Sequence, residues 1–413
     1  MPLPAHTVHV AVQTPAHSAV GDLLSYTCEQ PLEPGTLVRV PLGRRELLGV
    51  VWDAPAQPPA VPEGVELRAI CAVLEGIAPL PAAWRRLVAF AAYYYQRSVG
   101  EIAVTALPPQ LRDMTAEQLA RRLRPPKAAA KRAAKAAKAE QAEQAQQAPG
   151  AAPASALAPA PAAADIPPIV LSAEQADVFT QIAAHPGPFL LYGSTGSGKT
   201  EVYLRTTQAA LDADPGAQVL VMVPEINLTP QLEQRFLARF APQYGAACVV
   251  SMHSGMTNPQ RLKSWLAAHT GTARIVLGTR MSVFASLPGL SLIVVDEEHD
   301  ASYKQQEGAR YSARDLAIWR GREQGAKVLL GSATPSLESW YNAGPADAGG
   351  GRYRRLVMPS RIGGGALPAV RVVSSSIGVR ITAGATQLTL MPRGPSSRAR
   401  PLLRVITAPL LVA

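Results

Sequence analysis

The stretch Gly193-Ser194-Thr195-Gly196-Ser197-Gly198-Lys199-Thr200 constrains this chain more than any other. It follows the apolar run Phe189-Leu190-Leu191-Tyr192 and precedes a helical pattern that begins near Glu201. A strand, a glycine-rich turn and a helix in that order make a phosphate-binding loop. Glycines let backbone N–H groups turn inward, and the helix N-terminus adds partial positive charge. Lys199 is expected on the β and γ phosphates of ATP and the Thr200 hydroxyl on Mg2+, with residues 193–200 as the cradle. A chance Gly/Ser-rich turn would carry similar letters without the flanking strand and helix.

The surrounding residues predict the sheet that such a loop needs. Residues 219–223, 275–277, 292–295 and 328–330 are short, aliphatic and continuous, as is 189–192. Strands buried on both faces look like this, and the stretches between them have room for crossover helices. Five such runs describe a doubly wound parallel α/β domain, expected over residues 169–345, with ligands at the C-terminal strand ends. Asp296-Glu297-Glu298-His299 sits at one of those ends. There Asp296 is assigned to the metal and Glu297 to the attacking water. The alternative is a carboxylate that only favours a helix N-terminus. Gly331-Ser332-Ala333-Thr334-Pro335 ends another strand, and Ser332 and Thr334 can bond the acidic site and change partners during turnover. Taken singly, it is an ordinary Ser/Thr turn.

Weaker signals lie between these. Gln175, in Leu171-Ser172-x-x-Gln175, can read an adenine edge or can be a plain helix glutamine. Val223-Pro224-Glu225 and Gly278-Thr279-Arg280 follow strands on the face where nucleic acid would pass, and Thr279 and Arg280 can grip phosphates. Arg280 can equally pair with Glu225. His253 reads as a packed turn histidine. The loop from Tyr303 to Tyr311 interleaves two tyrosines with Lys304 and Arg310, a pattern that can stack bases and neutralise phosphates. The competing reading packs the tyrosines beneath the loop.

Residues 1–107 read as a β-rich module. Val8–Val12, Leu37–Gly43 and Leu47–Trp52 are strand-like, Pro/Gly turns separate them, and Trp84–Tyr95 has helical spacing. Residues 108–168 read as an Ala/Pro/Lys-rich low-complexity linker. A net charge of +10 favours a polyanionic partner. Cys28, Cys71 and Cys248 are widely spaced and offer neither a disulfide framework nor a zinc site. No apolar run has the length of a membrane span, and Met1–Val12 lacks signal-peptide features, so a cytoplasmic protein with no membrane partner is expected.

Taken in order, these motifs resemble the family of bacterial replication-restart DNA helicases known as primosomal protein N′ (PriA). The resemblance rests on Gly193–Thr200, Val223-Pro224-Glu225, Gly278-Thr279-Arg280, Asp296–Asp300, the Tyr303–Tyr311 loop with Ala313-Arg314-Asp315, and Gly331–Ser336. It extends to Pro34-Gly35 and Val38–Arg45 in the first module, with Leu24-Ser25-Tyr26 departing from the family's pattern at the 3′-end pocket. It implies a RecA-like first lobe of a superfamily 2 helicase preceded by a 3′-DNA-binding domain. It also implies ATP-driven 3′ to 5′ unwinding of forked and single-stranded DNA, with other primosome proteins and single-stranded DNA-binding protein as partners. In the family the aromatic-rich loop couples DNA contact to hydrolysis, a role carried over to Tyr303, Lys304, Arg310 and Tyr311. Arg44 and Arg45 are candidate phosphate contacts or a solvated hairpin tip. The family's winged-helix region is expected to be shortened or eroded here. Its second lobe and two-zinc cysteine-rich insertion have no counterpart in this sequence. Residues 346–413 are expected to hold the start of the next region, then, past Val373, a tail from a shifted reading frame. Impaired turnover is therefore expected, and the alternative is a catalytically impaired DNA-binding fragment.

Overall fold

The computed structural model describes residues 6–14, 23–54, 66–123, 170–224, 230–345 and 351–362, and the backbone alone of 370–375, 378–383 and 386–388. The Lys127–Gln147 tract, the Gly150–Pro168 linker and Glu225 lie outside the described residues.

The first module is an antiparallel sheet of β1 (His6–Val12), β2 (Leu23–Cys28), β3 (Leu37–Leu42), β4 (Arg45–Trp52) and β5 (Ala72–Val73), in the order β2-β1-β4-β3-β5. Alternation gives each strand one apolar face. Val8, Val10 and Val12 pack with Tyr26, Val38, Val40 and Val51. Leu37, Leu48 and Val50 face the other way, toward the helices α1 (Ala82–Tyr94), α2 (Val99–Ala106), α3 (Pro109–Asp113) and α4 (Ala116–Leu123). Gly43, at φ +60°, makes the tight turn between β3 and β4.

Helical packing runs past residue 107, where the composition changes, to Leu123, because Leu111, Met114 and Leu119 are buried. Arg39 secures that extension. Its guanidinium, almost wholly buried, donates to the carbonyls of Arg112 (2.7 Å), Leu111 (2.8 Å) and Met114.

The second part begins with α5 (Ala173–Ala184) and continues through β6 (Phe189–Gly193), α6 (Lys199–Ala213), β7 (Gln218–Met222), α7 (Pro230–Tyr244), β8 (Val249–Met252), α8 (Asn258–His269), β9 (Ile275–Gly278), β10 (Leu290–Asp296), α9 (Ala313–Gln324), β11 (Lys327–Ser332), α10 (Leu337–Asn342) and β12 (Arg354–Met358). All pairings in its sheet are parallel, in the order β12-β6-β11-β10-β7-β9-β8. The five expected strands are its five interior ones. The two that the sequence pattern lacked, β8 and β12, are the edges, where one flank has no partner strand and a serine or paired arginines are tolerated.

Neighbouring residues on the interior strands point to opposite faces. Leu190, Leu220, Val276, Ile293 and Leu330 enter one core; Leu191, Val219, Val221, Leu292 and Leu329 enter the other. The first of these cores continues without a break into Trp84, Leu87 and Val88 of α1. Trp84 Nε1 donates to the Phe284 carbonyl (2.7 Å), His269 Nε2 meets the Ala78 carbonyl (2.9 Å), and Phe90 stacks on Trp319 with centroids 4.3 Å apart. The described residues up to Ser360 therefore form one compact unit. Apart from it, β13 (Val370–Ser375), β14 (Gly378–Ala383) and β15 (Thr386–Leu388) make an antiparallel meander. Among the described residues no helix is long and apolar enough to cross a membrane.

Candidate functional site

Strand register levels the site. β11 lies between β6 and β10, pairing Ser332 with Tyr192 on one side and Gly331 with Asp296 on the other. The three strand ends that carry the glycine loop, the acidic residues and the hydroxyl turn are thereby set side by side. Central parallel strands bring their C-terminal ends together at such a position.

In the loop, Gly196 and Gly198 both adopt φ +84°, where a side chain is strained and where backbone N–H groups can curl into a concave nest. Ser194 N and Oγ are tied to the carbonyls of Met358 (3.3 Å) and Pro359 (3.2 Å), so β12 braces the loop from outside. Lys199 is 8% exposed, and its Nζ donates to the Gly193 carbonyl at 3.0 Å, across the mouth of the turn. Gln175 sits at the N-terminus of α5, against the loop. Its Oε1 accepts from Ser172 N (2.9 Å) in a capping box, and its Nε2 donates to the Gly198 carbonyl (3.2 Å). Each end of the amide makes one bond within the protein, so it props the loop while a second N–H and a second lone pair remain.

Asp296 ends β10. Its Oδ1 accepts the Tyr203 hydroxyl at 2.9 Å, and burial raises its pKa, opposed by that hydrogen bond and by the Lys199 charge. Glu297 follows in the left-handed region at φ +46°, a conformation costing roughly 1–2 kcal/mol at a non-glycine residue. It stops the strand at once, and Glu298 N then bonds the Gly331 carbonyl (3.0 Å). Burial raises the Glu297 pKa as well, and the neighbouring Asp296 charge adds to the rise.

His299 links the acidic end to the hydroxyl turn. Its Nδ1 lies 2.8 Å from Ser332 Oγ and 3.6 Å from Glu297 Oε2, while Nε2 lies 3.3 Å from Thr334 Oγ1. Ser332 and Thr334 thus reach the carboxylates through an imidazole that the sequence reading left without a role. Glu298, also unassigned by sequence, is fully buried. It accepts from Ser336 N (2.7 Å), Ser336 Oγ (3.0 Å), Ser339 Oγ (2.8 Å) and Arg314 Nη1 (3.2 Å). That carboxylate anchors α10 and the turn after β11. Tyr203 had a readable signal, since it lies four residues after Lys199 on one helix face. Glu298 had none, because its adjacency to Glu297 does not tell which side of the chain each takes.

The tyrosines do not present rings for stacking. Tyr303 and Tyr311 are each 2% exposed. The Tyr303 hydroxyl donates to the Asp296 carbonyl (2.6 Å), and Tyr311 packs edge-on against Phe284 with its hydroxyl on Met281 Sδ (2.8 Å). Burial of the aromatic faces in the core outweighs their solvation at a loop surface. Lys304 and Arg310 remain exposed on that loop. Arg280 Nη1 donates to the Ser302 carbonyl (2.9 Å), with Lys304 O at 3.5 Å, so it binds the tyrosine loop to the end of β9. Thr279 is buried beside it. Arg44 and Arg45 are exposed at the β3–β4 turn, far in the chain from the other candidates. Tyr26 is buried in β2, with its hydroxyl on the Pro41 carbonyl (3.2 Å).

The residues fit a nucleotide with a divalent cation. The nest of Gly196 and Gly198 has the curvature for phosphate oxygens, and Thr200 and Asp296 offer a hydroxyl and a carboxylate nearby. Among the described residues no cluster of three His, Cys, Asp or Glu side chains could hold a metal alone. A cation here would take the ligand's own oxygens, the usual manner of Mg2+.

Comparison with known proteins matches residues 172–342 to the DEAD/DEAH box helicase family and residues 9–108 to the 3′DNA-binding domain (3′BD) of PriA. The chain is 46% identical to the replication restart protein PriA of Haemophilus influenzae over 197 residues, which is 47% of this chain and 25% of that protein. Identity to the Bacillus subtilis PriA is 42% over 185 residues, 45% of this chain and 22% of that one. With the Rickettsia felis PriA the similarity extends over 342 residues at 30% identity, 83% of this chain and 44% of the relative. The chain thus spans less than half the length of these relatives.

Proposed function

Because the chain belongs to the PriA family of replication restart proteins and corresponds to their N-terminal part, we propose that it is the DNA-binding and ATP-hydrolysing portion of a 3′ to 5′ DNA helicase of replication restart. Its substrates would be forked and single-stranded DNA, and its partners primosome proteins and single-stranded DNA-binding protein. The observation that carries this reading is the levelling of three strand ends by the pairs Asp296–Gly331 and Ser332–Tyr192.

The chemistry follows from the residues so assembled. Loop amides of 193–200 receive the phosphates, and Lys199 exchanges its bond to the Gly193 carbonyl for the β and γ oxygens. Thr200 and Asp296 would hold Mg2+, whose charge, when bound, offsets the negative charge that develops during phosphoryl transfer. Glu297 orients the attacking water and takes its proton, a task suited to a carboxylate with raised proton affinity. Loss of the γ-phosphate changes the charge facing Glu297. His299 then passes that change to Ser332 and Thr334 through its two ring nitrogens. Thr279, Arg280, Lys304, Arg310, Arg44 and Arg45 are proposed to face the DNA backbone.

The test is ATP turnover by the purified chain with and without single-stranded DNA, beside Lys199→Ala. Turnover stimulated by DNA and abolished in Lys199→Ala is expected. Binding of DNA with no turnover above that variant would instead identify a DNA-holding fragment without catalysis.

A further inference from the structure

A cleft of about 240 Å³ opens between the elbow joining α2 to α3 and the lobe elements β8, α8 and the turn after β9. Leu107, Pro108 and Pro109 give it one apolar wall, and Met252, Met281 and Trp265 another. Its charged lining is wholly cationic: Arg112, Arg261 and Arg280, with no carboxylate.

Three donors on this lining, Arg261 Nε, Trp265 Nε1 and Arg280 Nε, are buried and find no acceptor among the described residues. A buried donor left unmade is costly, and native folds keep few of them. Three around one cleft call for a ligand that brings acceptors. Nor can these side chains easily turn elsewhere. Trp265 is fully buried and stacked on His269 with centroids 5.0 Å apart. Arg261 is held through Nη2 by the Ser254 carbonyl, and Arg280 through Nη1 by the Ser302 carbonyl.

We propose that this cleft receives one unstacked base of single-stranded DNA, held jointly by the N-terminal module and the helicase lobe. The proposal rests on the reading of DNA as the partner. Its volume falls below the roughly 300–1,000 Å³ of pockets for larger small molecules, which suits one planar ring. The apolar walls suit the faces of that ring. A phosphate in the same place would give up its hydration against Leu107, Met252 and the prolines. Donors without acceptors favour thymine, whose edge carries two carbonyl oxygens and no amino group. Since residues 105–109 come from the first module, the site exists only where the two parts are docked.

The measurement is equilibrium binding of the full chain to a labelled oligothymidine and to an oligonucleotide of equal length whose central residues are abasic, so that the phosphates are the same. The unmodified chain is expected to prefer the base-bearing strand about tenfold, the scale of one stacked and bonded base. Arg261→Lys keeps the positive charge and loses the Nε donor. It is expected to lose most of that preference while binding the abasic strand as before. Equal affinity of the unmodified chain for the two strands, or equal weakening of both by Arg261→Lys, would overturn the proposal. Base-independent binding overturns the base site alone; no binding of either strand overturns it together with the DNA reading. A second measurement needs no variant: photo-crosslinking from a single 5-iodouracil should label peptides carrying Met252, Trp265 or Met281. Labelling confined to other peptides would count against the site.

Discussion

Asp296 and Glu297 hold their protons more firmly than surface carboxylates, because burial strips water from both and the Asp296 charge bears on Glu297. Their folded pKa values are raised above the unfolded ones, so the fold carries a cost when they ionise. That cost is present at neutral pH and disappears as pH falls through the raised values. Glu297→Gln should therefore melt higher than the parent at pH 7.5, with the advantage vanishing in acid, while ATP turnover drops by about 10²–10⁴-fold. Thermal melts beside phosphate release check both halves. Turnover of the parent should weaken on acidification at a higher pH than an ordinary carboxylate would set. Tyr203→Phe removes a hydrogen bond that holds the Asp296 pKa down, and should move that acid limb further up. An unmoved limb in kcat/KM would refute the assignment. The places of Lys199 and Asp296 at the C-terminal ends of two strands were legible in sequence, because an aliphatic run followed by a glycine loop or a carboxylate is a local pattern. The tyrosines were not, since a loop pattern does not say which side of the loop an aromatic takes, and burial of Tyr303 and Tyr311 decided it.

Between elements, the buried Glu298 carboxylate holds α10 in place. Removing it takes the acceptor from Ser336 N and the Ser339 hydroxyl and leaves Arg314 with one partner fewer. Glu298→Ala is expected to lower unfolding free energy by about 3 kcal/mol, as losing one partner of a buried ion pair does, and urea titration measures it. Gly331→Ala is sharper in its consequence, because a Cβ there would lie 1.7 Å from the Tyr203 hydroxyl. Tyr203 must then leave Asp296, so the acid limb should shift as in Tyr203→Phe, with a further loss of stability. The sheet was readable where strands are covered on both faces, at Phe189–Gly193, Gln218–Met222, Ile275–Gly278, Leu290–Asp296 and Lys327–Ser332. The edges Val249–Met252 and Arg354–Met358 escaped, because one open flank relaxes the demand for continuous apolar residues. His299 escaped for another reason: its partners lie on a different strand, and only the register brings them near.

For the molecule as a whole, the first module and the helicase lobe of this PriA-family chain share one core face, with Trp84 bonded to Phe284 and Phe90 stacked on Trp319. Trp84→Ala should cost about 3–5 kcal/mol and lower the melting of both parts together. Two separate transitions would show that they are not coupled. The alternating strands of the module were visible in sequence, but this docking was not, because the apolar face of α1 reads the same whether it covers its own sheet or a neighbour's. The same arrangement sets a schedule during synthesis. The module is complete at Leu123, yet the helix that carries Trp319 begins at Ala313, roughly 190 residues later. At about 5–20 residues per second, the ribosome takes on the order of 10–40 s to supply it. Through that interval Trp84 and Phe90 wait uncovered, so a substitution that merely loosens the small module would show itself first as poor yield of newly made protein.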